Sequence, residues 1–156
     1  HLFICLGFPV ELLDLVIMRK SVKKLFYKVD YEYVCNLAEK AKSSGIENLS
    51  VVSSVGASKN SFNYYLKTKG LMEEQLKDLN FHTLNIFQPS HLLGKREKPI
   101  GHDVKLFEDI TNATGNLLFG PFAKFKNVQA NEIANLMFEK SKNCNKGINY
   151  FNRMDV

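Results

Sequence analysis

The stretch Leu49-Ser50-Val51-Val52-Ser53-Ser54 decides the fold. It is short, β-branched and closes on two hydroxyls, which predicts a buried strand. Helical patterns flank it on both sides. Upstream, Val29, Tyr33, Val34, Leu37, Ala38 and Ala41 recur at helical spacing, with Asp30 as the expected cap and Gly45 as the stop. Downstream, Gly56 to Asn63 reads as a loop. Tyr65 to Leu79 follows as a helix with Leu66, Leu71, Met72, Leu76 and Leu79 as its apolar stripe. His82 to Phe87 then alternates into a strand that stops at Pro89.

The pattern continues outward. His1-Leu2-Phe3-Ile4-Cys5-Leu6-Gly7 is an apolar run closing on glycine and reads as another buried strand. Glu11 to Met18 fits a helical turn or a strand equally. Past Pro89, a loop is expected through Gly94 to Pro99, a helix over Asp103 to Ile110, and a Gly- and Phe-rich connection from Asn112 to Phe125. Gln129 to Lys142 reads as a last helix with Ile133, Ala134, Met137 and Phe138 inside, and Gly147 to Phe151 as a final strand. Strands separated by helices of ten to fifteen residues imply βαβ units. The expectation is an α/β fold, a three-layer sandwich with a mainly parallel sheet, formed by residues 1–156 as a single domain. Ligands bind such sheets beyond the carboxyl ends of the strands, which here carry Gly7, Ser53-Ser54 and Pro89-Ser90.

Composition narrows the function classes. The 156 residues are 45% hydrophobic and 24% charged, ordinary globular material. No run approaches the roughly 18 uncharged apolar residues of a membrane span. The net charge is +5, yet Arg19, Arg96 and Arg153 are the only arginines, and the lysines are scattered beside acidic residues. Specific nucleic-acid recognition leans on arginine, so a solvated Lys-rich surface is the expectation. Cys5, Cys35 and Cys144 are far apart, with no Cys-x-x-Cys and no histidine at ligand spacing. No metal site is expected, and a reducing, cytoplasmic location is.

Chemistry concentrates in Tyr65-Leu66-Lys67-Thr68-Lys69. Tyr65 and Lys69, four residues apart, stack on one helix face. An ammonium beside a phenol favours the phenolate, and a tyrosine tuned in this way can exchange a proton with a carbonyl or alcohol oxygen. A serine hydroxyl at the end of the preceding strand can hold the same oxygen. The pair is weak evidence taken alone; its place after Ser53-Ser54 raises it.

The ordered set Phe3-Ile4-Cys5-Leu6-Gly7, Val29-Asp30-Tyr31, Ser53-Ser54-Val55-Gly56-Ala57, Tyr65 to Lys69-Gly70, Glu73-Glu74, Phe87-Gln88-Pro89-Ser90 and Leu93-Gly94-Lys95-Arg96 resembles the short-chain dehydrogenase/reductase superfamily. Within it, the match is to the atypical NAD(P)H-binding group that includes the Tat-interacting oxidoreductase-like proteins, and it covers residues 1 to about 142. The resemblance implies a Rossmann-type fold with a Ser–Tyr–Lys set. Tyr65 would be the general acid/base, Lys69 would lower its pKa and hold the nicotinamide ribose, and Ser54 would polarise the substrate oxygen ahead of Ser53. Leu6, Gly7, Ser53, Pro89 and Ser90 would lie against the cofactor, NADP(H) ahead of NAD(H).

Departures accompany the resemblance. No G-x-x-G-x-x-G or G-x-G-x-x-G occurs in the chain, although such glycines let backbone approach a pyrophosphate. Phe8-Pro9 follows Gly7 where relatives have small hydroxyl residues, and Gln88 stands where an arginine is usual. The expectation is therefore an N-terminally truncated Rossmann fold, the C-terminal portion of a reductase that binds dinucleotide poorly alone. Its first strand would form an exposed apolar edge open to a second copy or a protein partner. Two functions follow: an NAD(P)H-dependent oxidoreductase acting on a small carbonyl or alcohol substrate, or a non-catalytic Rossmann-like regulatory or protein-interaction module that has lost the cofactor.

Elsewhere the plain readings prevail. Tyr64 reads as packing or substrate-side lining, His91 as a satisfied loop histidine ahead of a residue facing the active site, Glu73-Glu74 as a solvated helix face and Cys5 as a small buried apolar residue. Lys95-Arg96-Glu97-Lys98 reads as a hydrated loop. The Phe119 to Phe125 segment reads as a lid or as packing beneath a loop.

Overall fold

In the computed structural model, which describes residues 1–10, 14–15, 17–93, 127–143 and 145–156, Leu49-Ser50-Val51-Val52 lies inside strand β2 (Asn48–Val52). Its neighbours are β1 (Leu2–Ile4) on one side and β3 (Thr83–Gln88) on the other, and β6 (Gly147–Asn152) pairs with β3. The order β1-β2-β3-β6 is parallel throughout, with Ile4 opposite Val51, Ser50 opposite Asn85, and Asn85 opposite Asn149. A short parallel pair, β4 (Leu92–Leu93) with β5 (Val128–Gln129), stands apart from this sheet. The mainly parallel α/β arrangement expected from the sequence is the one observed.

Helices cover both faces. On one face, Leu49, Val51, Leu84 and Ile86 pack with Ile4 against Val34, Cys35, Ala38, Met72 and Leu76 of two helices. On the other, Phe87 and Val52 pack against Ile133 and Met137 of α4 (Ala130–Lys142). This explains why Thr83 to Phe87 are all buried, as a sheet with helices on both faces requires. The second face also carries a polar row. His1 bonds the Ser50 hydroxyl, the Asn85 amide donates weakly to Ser50, and the Asn149 amide donates to Asn85.

The long helical segment starts earlier than expected. It runs from α1 (Lys20–Tyr27) through a widened π-helical stretch, Lys28–Tyr33, into α2 (Val34–Ser43). The π turns shift the phase of the helix, so Phe26, Asp30, Val34, Cys35, Ala38 and Ala41 face inward while Tyr33 and Leu37 are exposed. Asp30 is therefore buried within the helical segment and is not its cap. Gly45 does end α2, in the left-handed conformation that glycine adopts readily (φ 82°).

Helix α3 (Tyr64–Asp78) follows β2, capped by Asn63, whose side-chain oxygen accepts from the Leu66 N–H at 3.1 Å. The loop before it folds tightly onto the helix at Gly70, where a Cβ would sit 2.2 Å from the Ser58 carbonyl carbon. In α4, Phe138 is 59% exposed and Ala134 is exposed, so the expected four-residue inner face reduces to Ile133 and Met137. The expectations for Gly94–Pro99, Lys95–Lys98, Asp103–Ile110, Asn112–Phe125 and Phe119–Phe125 lie outside the described residues.

Candidate functional site

Because the sheet is parallel, the chain leaves β1, β2 and β3 on the same edge. Two backbone bonds extend the sheet there: Ser53 N–H donates to the Phe87 carbonyl at 2.7 Å, and Val55 N–H to the Pro89 carbonyl at 2.9 Å. These hold the Ser53-Ser54 and Pro89-Ser90 turns side by side. The first turns of α3 close the space above them. The result is an inner cavity of about 580 Å³, within the usual size range of small-molecule sites.

The cavity wall brings together every site residue singled out from the sequence: Leu6, Gly7, Ser53, Ser54, Tyr65, Lys69, Pro89 and Ser90. Tyr65 and Lys69 both reach it because four residues make about one helical turn. The Tyr65 ring rests against Phe26, with centroids 5.2 Å apart. Tyr64, the neighbouring tyrosine, packs on Phe26 and under the Lys23 ammonium and lies outside the cavity lining. His91 lines the cavity.

Lys69 does not stand alone. Its ammonium lies 2.7 Å from an Asp30 carboxylate oxygen, and both side chains are almost wholly buried. The second Asp30 oxygen accepts the Phe8 N–H at 2.7 Å, so one carboxylate ties the turn after β1 to the lysine of α3. The sequence reading missed this partnership. From the sequence Asp30 reads as a helix cap, because the helix upstream of Val29 is hidden there; buried inside that helical segment, its carboxylate needs a cation.

The two serines differ. Ser53 is buried and its hydroxyl donates to a Glu73 carboxylate oxygen. Ser54 is half-buried, and among the described residues its hydroxyl makes only a long contact, 3.4 Å, to the Val55 carbonyl. Glu73, expected on a solvated face, is 4% exposed and also accepts from the Gln88 amide at 3.0 and 3.1 Å. Burial pushes its carboxyl above the usual range, against the opposing pull of the Ser53 and Gln88 hydrogen bonds. Glu74, its neighbour, does face outward and bridges Lys59 and Lys77. Their hydrogen bonds hold its carboxyl down at about 2. Cys5, read as buried, is exposed at the cavity rim because β1 ends at Ile4. Among the described residues no cluster of three or more metal-ligating side chains occurs, and no helix is long and apolar enough to cross a membrane.

A parallel sheet with helices on both faces and a cavity at its carboxyl edge defines a Rossmann-like α/β protein. Solved structures of that class superpose on it. The NAD complex of MoeE5 with UDP-glucose matches with a TM-score of 0.63 at 11% identity, covering 95% of this chain and 55% of that one. A dTDP-4-dehydrorhamnose reductase from Clostridium acetobutylicum matches with a TM-score of 0.64 at 17% identity, covering 96% and 55%. No family model matches the chain. Sequence relatives are nearer. Protein FMP52, mitochondrial, of Debaryomyces hansenii is 39% identical over 106 residues, which is 68% of this chain and 43% of that protein. Protein HTATIP2 of Rattus norvegicus is 36% identical over 96 residues, 62% of this chain and 36% of that protein. The chain is homologous to FMP52 and HTATIP2, proteins of the atypical short-chain dehydrogenase/reductase family. It covers about half or less of the length of the curated relatives it matches. The cytoplasmic expectation is corrected here: relatives from several yeasts are named as mitochondrial proteins, which points to mitochondria. Cysteine usage distinguishes oxidising from reducing surroundings and says nothing about which reducing compartment.

Proposed function

We propose that this chain forms the substrate side of an NAD(P)H-dependent oxidoreductase that interconverts a carbonyl and an alcohol. The observation that carries the reading is the meeting of Ser54, Tyr65 and Lys69 on one cavity wall. The lining fits the nicotinamide-ribose end of a dinucleotide. Leu6, Phe8, Pro9, Val52 and Pro89 offer apolar surface to a flat ring, while hydroxyls and the Lys69 ammonium offer donors to ribose oxygens. Gly7 is consistent with a close ligand, since among the described residues a Cβ there would meet Asp30 alone, at an ordinary 3.8 Å.

When bound, the nicotinamide supplies or takes the hydride; everything else falls to the chain. Ser54 hydrogen-bonds the substrate oxygen. Tyr65 donates its phenolic proton to that oxygen during reduction and recovers it in the reverse direction. Lys69 donates to the ribose and holds positive charge beside the phenol. Asp30 fixes Lys69 in place, and the apolar wall keeps water from the reacting carbon.

A second reading, a regulatory or interaction module without cofactor, draws support from the same ion pair. Lys69 is already neutralised by Asp30, which leaves little net positive charge on the wall for a pyrophosphate. NADPH binding separates the two. The chain has no tryptophan, so the nucleotide's own fluorescence reports cleanly. Saturable binding that Gly7→Val abolishes in a folded sample supports the oxidoreductase, with Tyr65→Phe retaining affinity and losing turnover. Absence of binding to folded protein supports the module.

A further inference from the structure

Glu73 is a buried carboxylate that the proposed chemistry does not use, and it stands between two cavities. On its inner side is Ser53, which lines the inner cavity. On its outer side is a second, smaller cavity of about 340 Å³ that Glu73 itself lines with Gln88, Lys77 and Tyr150. A serine hydroxyl has one hydrogen to give. With Glu73 ionised that hydrogen is committed to the carboxylate, so the Ser53 oxygen can offer the inner cavity only lone pairs. With Glu73 protonated, the carboxylic O–H donates to the Ser53 oxygen, and the serine hydrogen is released toward the cavity. Gln88 can keep donating to the other carboxyl oxygen in both states.

We propose that Glu73 is a positioning residue whose own proton decides whether Ser53 presents an acceptor or a donor to a ligand in the inner cavity. In the ionised state the site then favours a ligand hydroxyl or amide N–H at Ser53, and in the protonated state a carbonyl or other acceptor oxygen. The proton arrives from solvent through the outer cavity, and no other bond is made or broken.

The surroundings suit such a role. Ser53 from the end of β2 and Gln88 from β3 are neutral donors. Among the described residues the cations nearby are committed elsewhere. Lys77, one turn along α3, binds Glu74 at 2.5 Å and lies over the Tyr150 ring of β6. Lys59 of the preceding loop binds Glu74 at 2.9 Å, and Lys69, one turn back, binds Asp30. Lys77 lowers and Glu74 raises the Glu73 carboxyl from a distance, and burial outweighs both. A buried carboxyl whose hydrogen-bond partners are both uncharged is easier to protonate than one paired with a cation.

The ligand half of the proposal rests on the inner cavity being the binding site, so the test has two separable arms. In ligand-free protein carrying 13C-labelled glutamate and serine, the Glu73 carboxyl should titrate above the ordinary glutamate value of 4.5, and the Ser53 Cβ resonance should move with the same midpoint. Gln88→Arg, which places a cation in the outer cavity, should shift that midpoint down. A Glu73 titrating at or below 4.5, or a Ser53 signal that ignores it, overturns the proposal.

In the second arm, the NADPH dissociation constant is measured against pH. It should change by about tenfold through the Glu73 midpoint, the effect of one hydrogen bond gained or lost. Glu73→Gln, whose amide N–H2 donates permanently to Ser53, should hold the low-pH value at every pH. Equal pH profiles for wild type and Glu73→Gln overturn the ligand half. Failure of NADPH to bind at any pH defeats the oxidoreductase reading, and the ligand-free titration still decides the role of Glu73.

Discussion

The Lys69 ammonium lies 2.7 Å from the Asp30 carboxylate, and neither side chain is more than 4% exposed. The pair joins α3 to the π-helical stretch, and through the Phe8 N–H it joins both to the turn after β1. Removing one member of a buried ion pair leaves the other charge uncompensated, at about 3–5 kcal/mol. Asp30→Asn or Lys69→Met alone should therefore lower Tm by roughly 6–20 °C. The double variant should be less destabilised than the sum of the two, by about 0.5–3 kcal/mol. Thermal melts of the four proteins complete the cycle; strictly additive losses would show that the two side chains are not coupled.

Gly70 supports a different contact. A Cβ at this position would sit 2.2 Å from the Ser58 carbonyl carbon and 2.4 Å from the Lys59 nitrogen. These are backbone atoms and cannot swing aside. Alanine normally stabilises a helix by about 1 kcal/mol over glycine. Here the expected sign is reversed: Gly70→Ala should destabilise the chain by about 1–3 kcal/mol, read from urea midpoints. A stabilised variant would mean that the loop before α3 is not seated on the helix.

Much of this architecture was legible in the sequence. Short β-branched runs separated by helical stripes gave the parallel sheet, and the carboxyl-edge rule put Gly7, Ser53-Ser54 and Pro89-Ser90 together. What escaped were features set by tertiary contact. The helix before Val29 was hidden because Lys20 to Lys28 carries four lysines, at Lys20, Lys23, Lys24 and Lys28, and buries only Phe26. The π turns then broke the phase of the stripe, which turned Leu37 outward and Asp30 inward. Glu73 was read as solvated because the glutamate beside it is; Ser53 and Gln88, which come from other elements, make its burial tolerable.

The described cysteines should separate by reactivity. Cys35 is buried and its thiol is pushed up to about 12, first by desolvation and then by nearby Glu39, so almost none is thiolate at neutral pH. Cys5 is exposed at the rim of the inner cavity. Partial desolvation lifts its thiol too, which slows reaction without preventing it. Maleimide followed by peptide mapping should modify Cys5 in the native chain and Cys35 only after unfolding. NADPH at saturation should slow modification of Cys5 severalfold if the nucleotide occupies this cavity. An unchanged Cys5 rate with nucleotide demonstrably bound would place the nucleotide elsewhere.

Glu73 also makes a prediction for stability against pH. Its folded-state carboxyl is raised above the ordinary glutamate value of 4.5. Between the unfolded and folded midpoints the native state therefore binds a proton that the unfolded state has released, and stability falls as pH rises through that window. Below 4.5 both states are protonated and the penalty is absent; above the folded midpoint it is fully present. Glu73→Gln keeps the shape and the hydrogen bonds without the charge. It should be more stable than wild type at pH 7 and lose that advantage as pH falls to 4. Glu74 opposes this trend, since its lowered carboxyl contributes stability above 4.5 that disappears as pH falls toward about 2. That contribution is exposed and screened by salt, so measurements in 0.5 M NaCl should isolate the Glu73 effect. If the Gln variant were less stable than wild type at pH 7 and the gap closed on acidification, Glu73 would be a favourable buried charge, opposite in sign to the one its burial predicts.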